Sequence, residues 1–427
     1  MKKAIYIIGG GPLGLHVIKT ANQLGLATIV TDKNDEAPGL KLATESLLID
    51  ASNSNLHVAL ARSLANQYNI IGVYCGNEIG IWSVYHVSNS LGIKHNSYDS
   101  IKTVLDKTLM KRAWGTKIAT PQSTVIKSVF ELIAYIIQFG GKVIIKPSKG
   151  SGSRGVQIVT SNSDLKKAMK ICKEVGGDVL VEPYLEGRSI DANGILIDGK
   201  LYGAGVLEKY ISNPPTCLPL GGHIPVDLPE GEEQEVYDLL ERGCKLLGLT
   251  FGPVKADLIR TDGGYQLLEV ATRFHGDVTT SNILQHIKIH PFEFLYNYLI
   301  HDKVYEEFLE PSGNNVAIWR TICLPPGRII ELNAPDPEDN RITKVWINPK
   351  NVNEIVPYDN TAKLPGYICA YGNSIKEAER LIKRYFMRFK IEMIINTTHT
   401  EWYEALGNRL DELGISKDSC CYIGGKK

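Results

Sequence analysis

Two acids in neighbouring apolar runs carry the sharpest chemical signal in the chain. Asp257 lies in GPVKADLIR and Glu269 in YQLLEVATRFHG, and Thr261-Asp262-Gly263-Gly264 between them reads as a tight turn. A strand–turn–strand would bring both carboxylates to one sheet face. Two such acids are hard-oxygen ligands for Mg²⁺ beside a polyphosphate. The plainer alternative is an exposed hairpin salt bridge, although an unpaired charge inside an apolar run is costly. Arg273, four residues past Glu269, offers a cation to offset charge on a transferred phosphoryl group.

A second constellation precedes it. Lys142 to Pro147 reads as a strand carrying Lys146, and it runs into Ser148-Lys149-Gly150-Ser151-Gly152-Ser153-Arg154-Gly155. Glycines, hydroxyls and cations in one short loop can wrap a polyphosphate with amides and side chains. The same composition also suits a solvated hairpin. No Lys stands between Gly and Ser or Thr as a Walker A motif requires, so a phosphate site here is of another kind. Gly9-Gly10-Gly11-Pro12-Leu13-Gly14 fits GxGxxG after a strand, with Asp32 ending the next strand. It reads either as a dinucleotide site or as a turn packed for close helix–strand contact, which Pro12 favours. Glu78 in CGNEIG follows a strand, where an acid is favoured by the dipole of a helix N-terminus. His223 in LGGHIPVDLP and His275 just past Arg273 either touch substrate or phosphate or play a structural part. HExxH and GxSxG are absent, which removes the simplest zinc-hydrolase and serine-hydrolase readings.

These residues need elements to hold them. Lys3–Ile8, Thr28–Thr31 and Ile70–Tyr74 read as strands alternating with helices at 15–24 and 55–67, a βαβ pattern with a parallel sheet. Helices are expected near 100–114 and 129–139, closely spaced strands from 141 to 206, a helix at 230–247, strands at 252–260 and 265–270, and a helix around 374–389. With 427 residues the chain has room for roughly three domains. Lys plus Arg and Asp plus Glu number 47 each, and this balance argues against nucleic-acid and membrane partners, which begin from a basic excess. The N-terminal apolar stretch is too short for a signal peptide and no stretch approaches a bilayer span. The eight cysteines show no CxxC spacing, so reduced thiols in a cytoplasmic protein are expected.

Taken in order, Lys107, Lys146 with its Ser/Gly loop, Glu182-Pro183-Tyr184-Leu185-Glu186-Gly187, Asp257 and Glu269-Val270-Ala271-Thr272-Arg273 resemble the motifs of the ATP-grasp superfamily. LPGYICAYGNSIKEAERLI resembles the C-terminal region of its biotin carboxylase and amino-acid ligase members. The resemblance implies an α/β ATP-grasp fold with a Rossmann-like pre-grasp domain at 1–95, a grasp domain at 96–310 with a lid at about 115–185, and an α+β C-terminal domain at 311–427. It implies that Lys107, Lys146 and the loop Ser148, Lys149, Gly150, Ser151, Gly152, Ser153, Arg154 and Gly155 bind ATP phosphates, that Glu182, Pro183, Tyr184 and Leu185 bind adenine, and that Asp257 and Glu269 hold Mg²⁺. Arg273 would face an acyl phosphate, with Glu78, His223 and His275 near substrate. Two departures stand out: Ser189 occupies the usual ribose-acid position, leaving Asp191 or water to substitute, and Ala271 replaces the Asn of EVNPR.

The activity so implied is an ADP-forming carboxylate–amine ligase acting through an acyl phosphate on a small carboxylate, an amino acid above all, with small-molecule substrates and a homodimer as the common assembly. The competing expectations are an NAD-dependent oxidoreductase built on GGGPLG and a nucleotide-binding regulatory protein without turnover.

Overall fold

The computed structural model describes residues 1–212, 217–276, 283–312, 315–322, 324, 327–347 and 364–395. The rest of the expected C-terminal domain, with Cys323, Cys420 and Cys421, lies outside the described residues.

The N-terminal unit is a four-stranded parallel sheet in the order Glu45–Leu48, Ala27–Asp32, Lys2–Ile8, Tyr68–Cys75. Ala4 to Ile8 of the strand Lys2–Ile8 are apolar on both faces because both are covered. Ala4, Tyr6 and Ile8 pack with Ala61 and Val87, while Ile5 and Ile7 meet Val17, Phe292, Phe294 and Tyr296. The second group joins this sheet to the helix Pro291–His301 of the following unit.

The lid is an antiparallel sheet in the order Thr124–Ile126, Val179–Pro183, Lys142–Pro147, Gln157–Thr160, covered by the helices Val129–Gln138 and Leu165–Val175. The run of strands expected from 141 to 206 is thus interrupted by a helix. Leu165, Ala168, Met169 and Cys172 recur at helical spacing, and all four are buried against the lid sheet.

An eight-stranded sheet forms the body, in the order Gly264–Ala271, Gly252–Thr261, Arg188–Ile197, Lys200–Ile211, Pro219–Ile224, Val316–Thr321, Gly366–Gly372, Ile342–Ile347. The boundary expected at 310/311 does not separate two sheets, because Val316–Thr321 pairs antiparallel with Pro219–Ile224 and carries the C-terminal strands into the same sheet. Among the described C-terminal strands, the pair Gly327–Asn333 with Lys390–Ile395 stands apart, beside the helix Ile375–Phe386. Among the described residues no helix is long and apolar enough to cross a membrane.

Candidate active site

The cleft is built from the end of the N-terminal sheet, the lid loop and one face of the body sheet. Its volume is about 620 Å³, and Glu78, Lys107, Gly150–Arg154, Lys209, Lys255, Asp257, Glu269, Arg273 and His275 all line it.

The acids come from three neighbouring strands. Asp191 stands directly opposite Asp257, and Asp257 directly opposite Glu269, so the three occupy one row across the sheet. A bulge beside Asp257 sets that last pairing, the local re-aiming that bulges often supply near active sites. Period-two alternation brings Lys255 to the same face, 2.6 Å from Asp257. Lys209 reaches Asp191 at 2.7 Å and Asp257 at 2.9 Å. His275 pairs with the other Asp191 oxygen, and its backbone N–H donates to Asn193 at 2.8 Å. Burial alone would push the Asp257 carboxyl up, but Lys209 and Lys255 outweigh it and hold the group well below its ordinary range. Burial of His275 lowers its pKa against the pull of Asp191.

Asp191 therefore does not stand at a ribose edge. It is fully buried in the acid row, and the carboxylate and imidazole atoms of Asp191, Asp257 and His275 lie within 4.8 Å of one another, close enough to share a cation. Glu269, expected as the second ligand beside Asp257, pairs with Lys107 at 3.3 Å.

Lys107 begins the helix Lys107–Trp114, capped by Asp106, whose side chain accepts the N–H groups of Thr108 and Leu109. Lys107, Met110, Lys111 and Trp114 form its buried stripe. Lys107 ties the lid loop down twice, through its N–H to the Ser148 carbonyl at 2.8 Å and its Nζ to the Gly150 carbonyl at 2.9 Å. Burial would lower its pKa, but Glu269, Glu78 and Asp257 together raise it. One turn on, Lys111 meets Glu182 at 3.2 Å, and Lys146 meets the other Glu182 oxygen at 2.7 Å. Burial is the larger influence on Lys111 and brings it down to about 8 despite Glu182. Glu182 is itself held below its ordinary value, because the two lysines outweigh its burial.

Within the loop, Gly150, Ser151, Gly152, Ser153 and Arg154 line the cleft. Ser148 and Gly155, expected to face phosphate, are turned into the lid. The Ser148 hydroxyl accepts the Asp178 N–H at 3.0 Å, and the Gly155 carbonyl accepts from Cys172. Lys149 is exposed and stands outside the cleft lining. Pro183, Tyr184 and Leu185 lie at the join between lid and body, with Lys142 Nζ 3.6 Å from the Tyr184 ring.

Glu78 follows Asn77, whose side chain caps the turn by accepting two backbone N–H groups. Its carboxylate accepts from Arg273 at 3.0 Å, a contact across 195 residues of sequence. His223 does not line the cleft. It alternates with Gly222 on Pro219–Ile224 and points to the opposite face, where it shares a 2.6 Å hydrogen bond with the Tyr210 hydroxyl. Burial, then Arg320 and Arg188, push its pKa down to about 3. Cys217 lines the cleft, and burial pushes its thiol up to about 11, so it is no ready nucleophile at neutral pH.

Gly9–Gly14 serves packing. A Cβ on Gly14 would stand 2.2 Å from the Gly9 carbonyl oxygen. Asp32, the residue a dinucleotide ribose would require, accepts the N–H groups of Gly10 and Asn34 at 2.8 and 2.9 Å.

Sequence inspection missed Lys111, Lys209 and Lys255. The spacing from Lys107 to Lys111 and the two-residue step from Lys255 to Asp257 were the available signals for two of them.

Residues 104–277 match the ATP-grasp domain family. The chain carries an ATP-grasp domain. The proteins it is similar to include ADP-forming carboxylate–amine ligases that use ATP and Mg²⁺. Over 405 residues the chain is 24% identical to the formate-dependent phosphoribosylglycinamide formyltransferase of Methanocaldococcus jannaschii, covering 90% of this chain and 96% of that one. It is 31% identical over 183 residues to the D-alanine–D-alanine ligase of Pseudomonas fluorescens, a match covering 39% of this chain and 53% of that enzyme. In fold it is similar to the L-amino acid ligase of Bacillus licheniformis, with a TM-score of 0.76 at 16% identity over 93% of this chain and 99% of that one. The ATP-grasp site chemistry fits the residues present: hard carboxylate oxygens in one row, two buried lysines, and a loop that offers the cleft its amides and the Arg154 cation.

Proposed function

We propose that this ATP-grasp protein joins the carboxylate of an amino acid to an amine through an acyl phosphate. The Glu78–Arg273 pair carries this reading. It places a carboxylate and a guanidinium 3.0 Å apart on the wall of the same cleft as Asp257 and Glu269. An α-amino acid bears one ammonium and one carboxylate, and such a pair offers each a counter-charge.

Amide formation from a free carboxylate is uphill in water, so the acid must first be activated. A carboxylate oxygen attacks the terminal phosphorus of ATP, the bond to the bridging oxygen breaks, and ADP leaves. The amine nitrogen then attacks the acyl carbon, the C–O bond to phosphate breaks, and the amine proton passes to solvent. Lys107, Lys146 and the loop Gly150–Arg154 would hold the phosphates. Asp257 and Glu269, with Asp191 and His275 behind Asp257, would hold Mg²⁺, which offsets phosphate charge. Arg273 offsets the charge of the acyl phosphate, and the closed lid loop keeps water from it. Neither a Ser nor a Cys nucleophile is needed.

The similarity along most of both chains to a formate-dependent enzyme supports a second reading, in which the acid is formate and the amine is larger. A phosphate-release screen with ATP and Mg²⁺ separates the two, using amino acids singly and in pairs, and formate with amines. Release that depends on two amino acids supports the proposal. Release that depends on formate and on no amino acid replaces it with the second reading, and release with no carboxylate partner defeats both. Assembly as a homodimer and a cytoplasmic location belong to the same reading; light scattering of purified protein tests the first.

A further inference from the structure

The row of strands that forms the cleft floor divides into two halves of different chemistry. Gly264–Ala271, Gly252–Thr261, Arg188–Ile197 and Lys200–Ile211 bring the acids and lysines, whereas Val316–Thr321, Gly366–Gly372 and Ile342–Ile347, beyond Pro219–Ile224, bring aromatic rings. We propose that Trp319, Trp346 and Tyr367 form a side-chain subsite that selects an amino acid with a large apolar or aromatic side chain. This rests on the amino-acid reading above and adds to it which amino acids the cleft accepts.

Register puts the three rings together. Tyr367 stands directly opposite Thr321 on one side and Trp346 on the other, and Trp319 lies two residues from Thr321 and so on its face. The Trp346 and Tyr367 ring centroids are 5.4 Å apart, tilted by 32°. Trp319, Trp346, Tyr367 and Thr321 line the same cleft as Asp257, Glu269 and Arg273.

Gly222 makes room for this shelf. It stands directly opposite Trp319, and a Cβ there would lie 2.4 Å from the Glu208 carbonyl oxygen and 2.8 Å from the indole Nε1. With glycine in place the indole settles over the strand Pro219–Ile224, which is paired to the strand bearing Lys209. The shelf therefore begins one strand away from the charged row. Ile211 and Leu364 extend the apolar wall.

The physical consequence is selectivity by burial. Glycine has no side chain to cover these rings, whereas leucine or phenylalanine removes apolar area from water on both sides of the contact. A hydrophobic pocket of this kind discriminates by about 10- to 100-fold, and it does so against small side chains rather than isosteres.

The test uses the full chain with ATP and Mg²⁺ and measures phosphate release with glycine, alanine, leucine, phenylalanine and tryptophan as acids. The wild type should show a kcat/KM for phenylalanine or leucine about 10- to 100-fold above that for glycine. Trp346→Ala should bring that ratio near unity by raising KM for the large acid, with KM for ATP unmoved. Tyr367→Ala, which removes the ring packed against Trp346, should act in the same direction while the circular-dichroism spectrum stays that of wild type. Equal use of small and large acids by the wild type overturns the proposal and leaves the amino-acid reading standing. So does an unchanged ratio in both variants. A change confined to KM for ATP would mean that the rings serve the nucleotide base and also overturns it. Wild-type release driven by no amino acid at all defeats the reading beneath it.

Discussion

The two faces of the body sheet are made from neighbouring residues and meet different fates. Lys209, Gly222 and Trp319 face the cleft, while the residues beside them, Glu208, His223 and Arg320, face the opposite side. On that back face Arg188 pairs with Glu208 at 2.6 Å, Arg320 pairs with Glu379 of the C-terminal helix, and the Arg320 guanidinium lies 4.3 Å from the Tyr210 ring. Glu208, Arg320 and Glu379 are closed over by protein, with Arg188 reaching the surface. On the cleft face the lysines and acids are paired too, but the pairs border open volume. Pairing alone thus does not mark a working site. What distinguishes one is a pair that can exchange its protein partner for a ligand.

Three changes test this contrast. The largest effect is expected on the back face. Arg320→Met leaves Glu379 buried without its counter-ion, and chemical denaturation should show a loss of about 3–5 kcal/mol. Turnover per folded molecule should stay the same. A loss below about 1 kcal/mol, or a raised KM for ATP, would break the division between the faces. On the cleft side, Asp257→Asn should lower kcat by about 10²- to 10³-fold, the range seen when one preorganised electrostatic partner of a transition state is removed. Its melting temperature should fall as well, because Lys209 retains Asp191 whereas buried Lys255 loses its carboxylate partner. Full activity in this variant would refute the role given to the acid row.

The smallest effect is a pH dependence. His223 sits among Arg188, Arg320, Tyr210 and Glu208, and its pKa is pushed down to about 3 in the folded chain against an ordinary 6.5. Between those values the unfolded state binds a proton that the folded state does not. Stability from this group is therefore present above pH 6.5 and is lost as pH falls towards 3, by up to about 1.4 kcal/mol per pH unit. In His223→Asn the slope of stability against pH across this window should be shallower by that amount. An unchanged slope would show that His223 takes up its proton without unfolding.

Much of the fold was legible because periodicity and burial agree. The run Ala4–Ile8 is apolar throughout since both of its faces are covered, and Gly252–Thr261 with Gly264–Ala271 meet at the turn their residues announce. The helix Leu165–Val175 escaped because its Ile, Cys and Val residues, set among strands, read as one more strand, although its 3.6-residue spacing was there to be counted. The motif acids could be named from order and spacing, but their partners could not. Asp191 joins Asp257 only through the register of two strands far apart in sequence. His223 was misread for a related reason. PLGGHI carries no alternation of apolar and polar residues, so nothing local states which face the imidazole takes. The aromatic shelf was invisible for the same cause, since its rings come from three separate strands. The continuity of the body sheet past residue 310 depends on a pairing no local signal encodes.

Lys107 holds the loop at two points, through its backbone at Ser148 and its ammonium at Gly150, while also facing Glu269. In the language of local unfolding, this makes the loop and the first turn of the helix Lys107–Trp114 one cooperative unit. Hydrogen exchange at the loop amides is then governed by how often a helix terminus lets go, and that terminus is capped by Asp106. A substitution of Asp106, which touches neither the loop nor the acids by itself, alters the rate at which the cleft opens.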